Sequence, residues 1–260
     1  MGKRTSYAPG TFSWVDLATT DAAAAKAFYS AMFGWEMEDT DAGGGAVYTL
    51  CRLDGDAVAG LYEMSDEMRS TGAPPNWLSY VTVADADAAV ARVKELGGSA
   101  IDDAFDIMDV GRMAVLADPQ DAVFAVWEPR SRIGAERVND PGCLTINELT
   151  TTDLDAARAF YTDLFGWTTE DVDTGPGGPE IVSVSNNGVL NASLSSAQPG
   201  EPPHWRPYFT VESVETGVDR VGELGGATLF GPIPLPEGGI AVTRDPQGAV
   251  FALFAGRTDP

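Results

Sequence analysis

The chain of 260 residues contains one histidine, His204, and two cysteines, Cys51 and Cys143. A single imidazole excludes a metal centre built from several histidines. Two thiols without Cys-x-x-Cys spacing exclude a thiolate cage and a disulfide scaffold, and read as reduced structural residues. Basic residues are scarce as well. Only 16 Lys and Arg stand against 39 Asp and Glu, a formal net charge of −23. That field repels phosphate backbones, so nucleic acid is not an expected partner. The acids are scattered rather than gathered into a tail, the pattern of a solvated surface. The sequence has no run of about 18 apolar residues, so no membrane helix is expected. Lys3 and Arg4 have no apolar run behind them and do not make a secretory signal. The expected setting is cytoplasmic.

What is present is repetition. "WVDLATTDAAAAKAFYSAMFGWE" (Trp14 to Glu36) recurs as "INELTTTDLDAARAFYTDLFGWT" (Ile146 to Thr168). "NWLSYVTVADADAAVARVKELGGSA" (Asn76 to Ala100) recurs as "HWRPYFTVESVETGVDRVGELGGAT" (His204 to Thr228). "ADPQDAVFAVWEPR" from Ala117 recurs as "RDPQGAVFALFAGR" from Arg244. Each half repeats internally, more weakly. An apolar strand leads to Asp21, Asp85, Asp153 or Ser213, each a good helix N-cap, and an amphipathic helix follows. Gly34, Gly97, Gly166 and Gly225 stop these helices. Short alternating runs such as "AVYTLCRL", "AVAGLYEM", "MAVLA" and "AVFAVW" read as strands. The reading is α+β: four βαβββ modules in two tandem domains, residues 10–130 and 142–256, with a polar linker over 131–141. Because each half supplies its own modules, a monomer with internal pseudo-dimeric symmetry is expected.

The "D-A-A-A-A-K-A-F-Y" and "D-L-D-A-A-R-A-F-Y" helix starts, the following "F-G-W", and "D-P-Q" before the last strand resemble the vicinal oxygen chelate superfamily. This is the glyoxalase/bleomycin-resistance/dioxygenase family. The resemblance implies that paired modules curve into cupped sheets around cavities. It also implies a divalent metal, held by residues on both first strands and by a glutamate on a last strand. The implied ligand positions lie seven residues before each helix cap and seven after each Asp of Asp-Pro. They fall on Trp14, Leu78 and Ala125 in one half and Ile146, Arg206 and Ala252 in the other. Apolar side chains have no lone pair to give, and Arg is a permanent cation. No metal and no cofactor are expected.

Strand alternation assigns the cavity walls instead. Asp16 shares a face with Trp14, and Glu148 with Ile146, so these two acids read as equivalent inward carboxylates. Tyr80 and Trp127 join Trp14 and Asp16, an aromatic box that suits a flat, cationic ligand. His204, Arg206 and Tyr208 join Glu148, a polar box that suits an anionic or carbonyl ligand. Asp16, Glu148 and His204 are the candidate proton-transfer groups. Trp14, Tyr80, Trp127, Arg206 and Tyr208 are the candidate ligand-binding groups. Trp77 and Trp205 have the opposite parity and should lie under the helices. The Gly-rich "DAGGGA" and "GPGGPE" read as hairpin tips over the cavities. Three functions compete: a metal-free protein binding a small aromatic or carbonyl metabolite, a metal-independent lyase, isomerase or hydroxylase-like enzyme, and a vestigial fold acting through its surface.

Overall fold

The structure is a computed structural model and describes residues 2–175, 177–235 and 238–258. In the first half the elements are β1 (Phe12–Thr19), α1 (Ala22–Phe33), β2 (Glu36–Gly43), β3 (Ala46–Leu53), β4 (Asp56–Glu63), α2 (Asp66–Ser70), β5 (Asn76–Thr82), α3 (Ala86–Glu95), β6 (Ser99–Ile107), β7 (Gly111–Ala117) and β8 (Val123–Pro129). The second half runs β9 (Leu144–Thr151), α4 (Leu154–Phe165), β10 (Thr168–Asp171), β11 (Ile181–Asn186), β12 (Val189–Ser196), β13 (His204–Thr210), α5 (Val214–Glu223), β14 (Ala227–Leu235), β15 (Gly238–Arg244) and β16 (Val250–Ala255). The four expected caps, Asp21, Asp85, Asp153 and Ser213, all sit in extended backbone. Each accepts a hydrogen bond from the N–H three residues on. Short α2, capped by Ser65, is the one helix that the repeat pattern does not foresee.

Each half is one eight-stranded curled sheet. The orders are β2-β3-β4-β1-β5-β8-β7-β6 and β10-β11-β12-β9-β13-β16-β15-β14. At the centre of the first, β1 runs antiparallel to β5, while β4 and β8 pair parallel outside them. The second sheet repeats this with β9, β13, β12 and β16. Two modules therefore share one sheet, and one face of each sheet is left free of the four long helices.

The helix-bearing faces are buried against the other half. Phe28, Tyr29 and Phe33 of α1 pack with Phe209, Phe251 and Leu253 of the second sheet. The Phe33 and Phe209 rings are 5.1 Å apart, and Tyr29 and Phe251 meet edge-on at 5.7 Å. Symmetrically, Phe160 and Tyr161 of α4 pack with Phe124 and Val126 of the first sheet. Each core thus contains residues of both halves.

Polar groups lock the same seam. Asp245 Oδ1 closes its own turn by accepting from the N–H groups of Gln247, Gly248 and Ala249. Its Oδ2 accepts from Tyr29 Oη at 3.1 Å, and Tyr29 Oη accepts from Trp77 Nε1 at 3.1 Å. In the mirror arrangement Asp118 Oδ2 accepts from Tyr161 Oη at 3.1 Å, and Trp205 Nε1 donates to that hydroxyl at 2.9 Å. Trp77 and Trp205 are under the helices as their parity requires. The "F-G-W" indoles complete the lock: Trp35 Nε1 donates to Gly142 O at 2.8 Å and Trp167 Nε1 to Gly10 O at 2.7 Å. Both cysteines are buried and free, and burial pushes the Cys143 thiol up to about 12. No described helix is long and apolar enough to cross a membrane.

Tyr29→Phe should leave Asp245 Oδ2 and Trp77 Nε1 without their partner, and Tyr161→Phe should do the same to Asp118 and Trp205. Each should cost about 1–3 kcal/mol, the scale of a buried unsatisfied polar group. The two sites share no partner, so urea unfolding of the double variant should show near-additive losses. Losses below about 0.5 kcal/mol would contradict the account of the seam.

Candidate functional site

The clear face of the first sheet, here the first cup, encloses a cavity of about 1190 Å³. Trp14, Asp16, Tyr80 and Trp127 all line it. Alternation along β1 puts Trp14 and Asp16 there, while a register shift between Phe12 and Trp14 turns Phe12 away. Phe12 instead packs against Trp167 and Trp205 at the seam.

Asp16 is the polar centre of this cup. Its side chain is buried, and Oδ1 accepts from Trp14 Nε1 at 2.7 Å and from Tyr48 Oη at 2.5 Å. Oδ2 accepts from Tyr80 Oη at 2.8 Å. Burial pushes the carboxyl above the usual range, and the donors from Tyr48, Tyr80 and Trp14 pull against it. Burial, and then the charge of Asp16, hold the Tyr48 and Tyr80 hydroxyls protonated far above neutrality. The tight cluster depends on Gly60, which pairs with Asp16 across the sheet. A Cβ at Gly60 would fall 2.0 Å from Tyr48 Oη and 2.1 Å from Asp16 Oδ1. Trp127 is set in the same way. Gly111 leaves room for its indole, since a Cβ there would fall 2.2 Å from the ring, and Trp127 Nε1 donates to Arg132 O at 2.9 Å.

Several lining residues were not foreseen. Tyr48 and Tyr62 come from the hairpin β3–β4, Met113 from β7 and Arg132 from the linker. The alternation of Tyr48 with Leu50 was a usable signal, but the hairpin's register was not readable. Gly43 to Gly45 form the tip of the β2–β3 hairpin, and the adjacent Asp41 and Ala42 line the cavity. The matching "GPGGPE" contains Pro176, which lies outside the described residues. The trough continues past the first cup onto Pro202, Pro203, His204, Gly248 and Val250 of the second half.

On the second sheet, Glu148, His204, Arg206 and Tyr208 also come together, apart from the Asp16 group. Glu148 Oε2 accepts from Tyr208 Oη at 2.5 Å and Oε1 from Ser195 Oγ at 2.8 Å. Arg206 is buried, 3.6 Å from Glu148 Oε1 and 3.5 Å from Glu201 Oε1. His204 Nδ1 lies 2.9 Å from Pro202 O, which is an acceptor only, so Nδ1 carries the proton. Nε2 then accepts from Arg206 Nη2 at 2.9 Å. Burial and the Arg206 charge lower the His204 pKa. The imidazole is neutral, with both nitrogens engaged, and no lone pair is left for a substrate proton. Strand pairing sets Ser193 opposite Glu148, where the first half has Gly60 opposite Asp16. Likewise the Ile181–Ser195 pair replaces Tyr48–Tyr62. The two cups have the same backbone and different walls.

The metal implied by the resemblance does not fit these walls. Ala125 is fully buried beside Trp14 and Tyr80, and Ala252 lies beside Tyr208. Trp14 and Leu78 are cross-strand neighbours of Tyr80 and Asp16, and neither offers a lone pair. In the second cup the corresponding cation Arg206 would repel a metal. Among the described residues no three His, Cys, Asp or Glu are placed to hold one.

Residues 14–127 match the model of a glyoxalase-like domain, and residues 144–253 that of the glyoxalase/bleomycin resistance protein/dioxygenase superfamily. The chain is 39% identical to "Putative glyoxylase CFP32" of Mycobacterium tuberculosis, over 98% of both chains. It is 35% identical to the anthracycline biosynthesis protein DauV of Streptomyces sp. strain C5, over 96% of this chain and 94% of that one. Among solved structures it superposes on the Mn(II)-bound glyoxalase of Novosphingobium aromaticivorans with a TM-score of 0.66 at 17% identity, covering 98% of this chain and 83% of that one. The 2,3-dioxygenase LapB of Pseudomonas sp. KL28 gives 0.67 at 15% identity, covering 97% and 95%. Four modules in two cupped sheets, matched along both halves, place the chain in the glyoxalase/bleomycin resistance protein/dioxygenase superfamily as a tandem of two glyoxalase-like domains.

Proposed function

We propose that the protein binds a small aromatic or carbonyl metabolite in its first cup without a metal. The observation that carries this reading is the Asp16 cluster. A buried carboxylate is spent on fixing Trp14, Tyr48 and Tyr80, in a fold whose metal-ligand positions hold apolar residues. Fixed aromatic walls suit a planar ligand, because the stacking surface is already ordered. The cavity is large enough for several fused rings. The relatives named for anthracycline biosynthesis support the same class, since anthracyclines are planar and polycyclic. A metal-independent enzyme is the second reading, favoured by the raised pKa of Asp16. Turnover of a bound ligand, absent in Asp16→Asn, would select it.

Purified protein should carry less than about 0.1 equivalent of transition metal by elemental analysis, given ligand positions that cannot offer lone pairs. About one equivalent per chain surviving mild chelation would overturn the metal-free reading.

A planar ligand found by thermal-shift screening should bind Asp16→Asn more weakly by about 1–3 kcal/mol, because the amide keeps one acceptor oxygen and sets an NH2 donor in place of the other, so Trp14, Tyr48 and Tyr80 cannot all keep their bonds. Trp127→Ala should also weaken it, and Glu148→Gln, in the other cup, should not. Equal affinity of the Asp16→Asn and wild-type proteins by calorimetry would remove the cluster from the site.

Stability should report Asp16 as well. Its folded pKa is raised above the ordinary 3.8, so its contribution is fully present below 3.8 and is lost as pH rises through the folded value. The unfolding free energy of wild type minus that of Asp16→Asn should therefore fall with rising pH from about 3.5 upward. A flat difference would mean that the carboxyl is not destabilised by burial.

A further inference from the structure

The linker between the two sheets contributes a charged wall to the first cup. Arg130 and Arg132 both donate their backbone N–H to Val110 O at 3.1 Å, at the turn before β7. Trp127 Nε1 donates to Arg132 O, and Ala135 N donates to Ser13 O at 2.7 Å. The backbone of Arg132 is therefore pinned to β8, to the β6–β7 turn and, through Ala135, to β1. Arg132 is half-buried and lines the cavity. Among the described residues its guanidinium has no ion pair and no hydrogen bond. Its neighbours differ: Arg130 pairs with Asp106 at 2.8 Å, and Arg137 with Asp54 and Asp56. In a chain with 39 acids and 16 basic residues, cations find partners easily. Asp16, Asp41, Asp102, Asp106 and Asp121 line the same cavity, and none of them is paired with Arg132. Asp16 takes three donors from its own cup, and Asp106, also on the cavity wall, takes Arg112 and Arg130.

We propose that Arg132 is the anion anchor of the first cup, and that the ligand is an aromatic carboxylate whose ring lies along the Trp14–Trp127 wall. The proposal rests on the first cup being the binding site. A guanidinium offers five N–H donors in a planar fork that matches a carboxylate, and here the fork has no protein partner among the described residues while Arg132 lines a cavity walled largely by aromatic and aliphatic residues. Asp16 has the opposite character. Three of its roughly four acceptor positions are filled by the protein, so it orders the walls and leaves little for a cationic ligand. The sequence pattern alone favoured a cationic ligand in this cup, and Arg132 reverses that preference.

The test uses three matched pairs of probes: benzoate and benzamide, naphthoate and naphthamide, anthraquinone carboxylate and anthraquinone carboxamide. Within each pair the ring is constant and the charge changes. Affinities are read by tryptophan quenching and calorimetry for wild type, Arg132→Gln, Arg132→Lys and, as a paired-arginine control, Arg130→Gln. Wild type should prefer the carboxylate about tenfold or more in any pair it binds, the scale of a charge-assisted hydrogen bond. Arg132→Gln should lose that preference while keeping its carboxamide affinity. Arg132→Lys should recover part of the preference, and Arg130→Gln should retain all of it. Equal binding within each pair, or a preference that survives Arg132→Gln, would overturn the anchor and leave the cup as a binding site. No binding of any probe by wild type would overturn both.

Discussion

The two halves are held by a carboxylate that serves both of them at once. One oxygen of Asp118 or Asp245 closes the turn that starts its own last strand, and the other receives the hydroxyl of a helix tyrosine from the opposite half. Helix placement depends on this contact, because the apolar face of α1 is covered partly by its own sheet, through Val15, Leu61 and Trp77, and partly by the opposite half. A helix of 12 residues is marginal alone and takes its stability from packing. For α1 the opposite half's share of that packing comes from Phe209 and Phe251, and for α4 from Phe124. The repeated "F-Y", "F-G-W" and "D-P-Q" are thus one device seen from both sides. Each copy of the tyrosine and tryptophan needs the other copy of the aspartate and of the strand entry.

Because the seam holds the helices and strands in place, the opposite faces are released from that duty. Nothing in the Tyr–Asp lock or the aromatic seam passes through the six positions where the superfamily pattern expects metal ligands. Trp14, Ala125, Arg206 and Ala252 can stand there while both sheets keep the same strand order. The cups have diverged accordingly. Gly60 in the first admits Tyr48 to Asp16, whereas Ser193 occupies the corresponding place in the second, and Ser195 bonds Glu148. Even the seam has a break in symmetry. Gln120 Oε1 accepts from Thr151, Thr152 and the N–H of Asp153, while Gln247 Oε1 is buried without a partner.

The fold was legible because its signals are local. Caps, helix-ending glycines and strand alternation each act within a few residues, and all four caps are where the sequence puts them. The inward set of Trp14, Asp16, Tyr80 and Trp127 was legible for the same reason, since a strand has only two faces. What escaped is non-local. Tyr29 meets Asp245 across 216 residues, and no periodicity encodes that partner. Tyr48 reaches Asp16 only through the register of a hairpin and the absence of a side chain at Gly60. Phe12 breaks alternation through a register shift. Arg132 sits in a stretch with no period at all, so composition marked it as linker when its backbone is pinned to three strands or turns.

The two inward acids, equivalent by sequence, differ in what balances their charge. Glu148 has Arg206 at 3.6 Å, so its burial is offset by a cation. Asp16 has only neutral donors, and burial prevails over them. An acid held in this way costs stability that an apolar residue would not, because hydrogen bonds from neutral groups recover only part of the lost hydration. Packing at the seam is extensive enough to carry that cost, and the second cup shows that the same backbone accepts a different arrangement at the equivalent place. A purely structural account of the first cup therefore has to explain why the more expensive arrangement is the one surrounded by three ordered aromatics and an open guanidinium. A ligand that uses those walls supplies the reason: the carboxylate fixes the tyrosines and tryptophan before binding, so less ordering is left to oppose association.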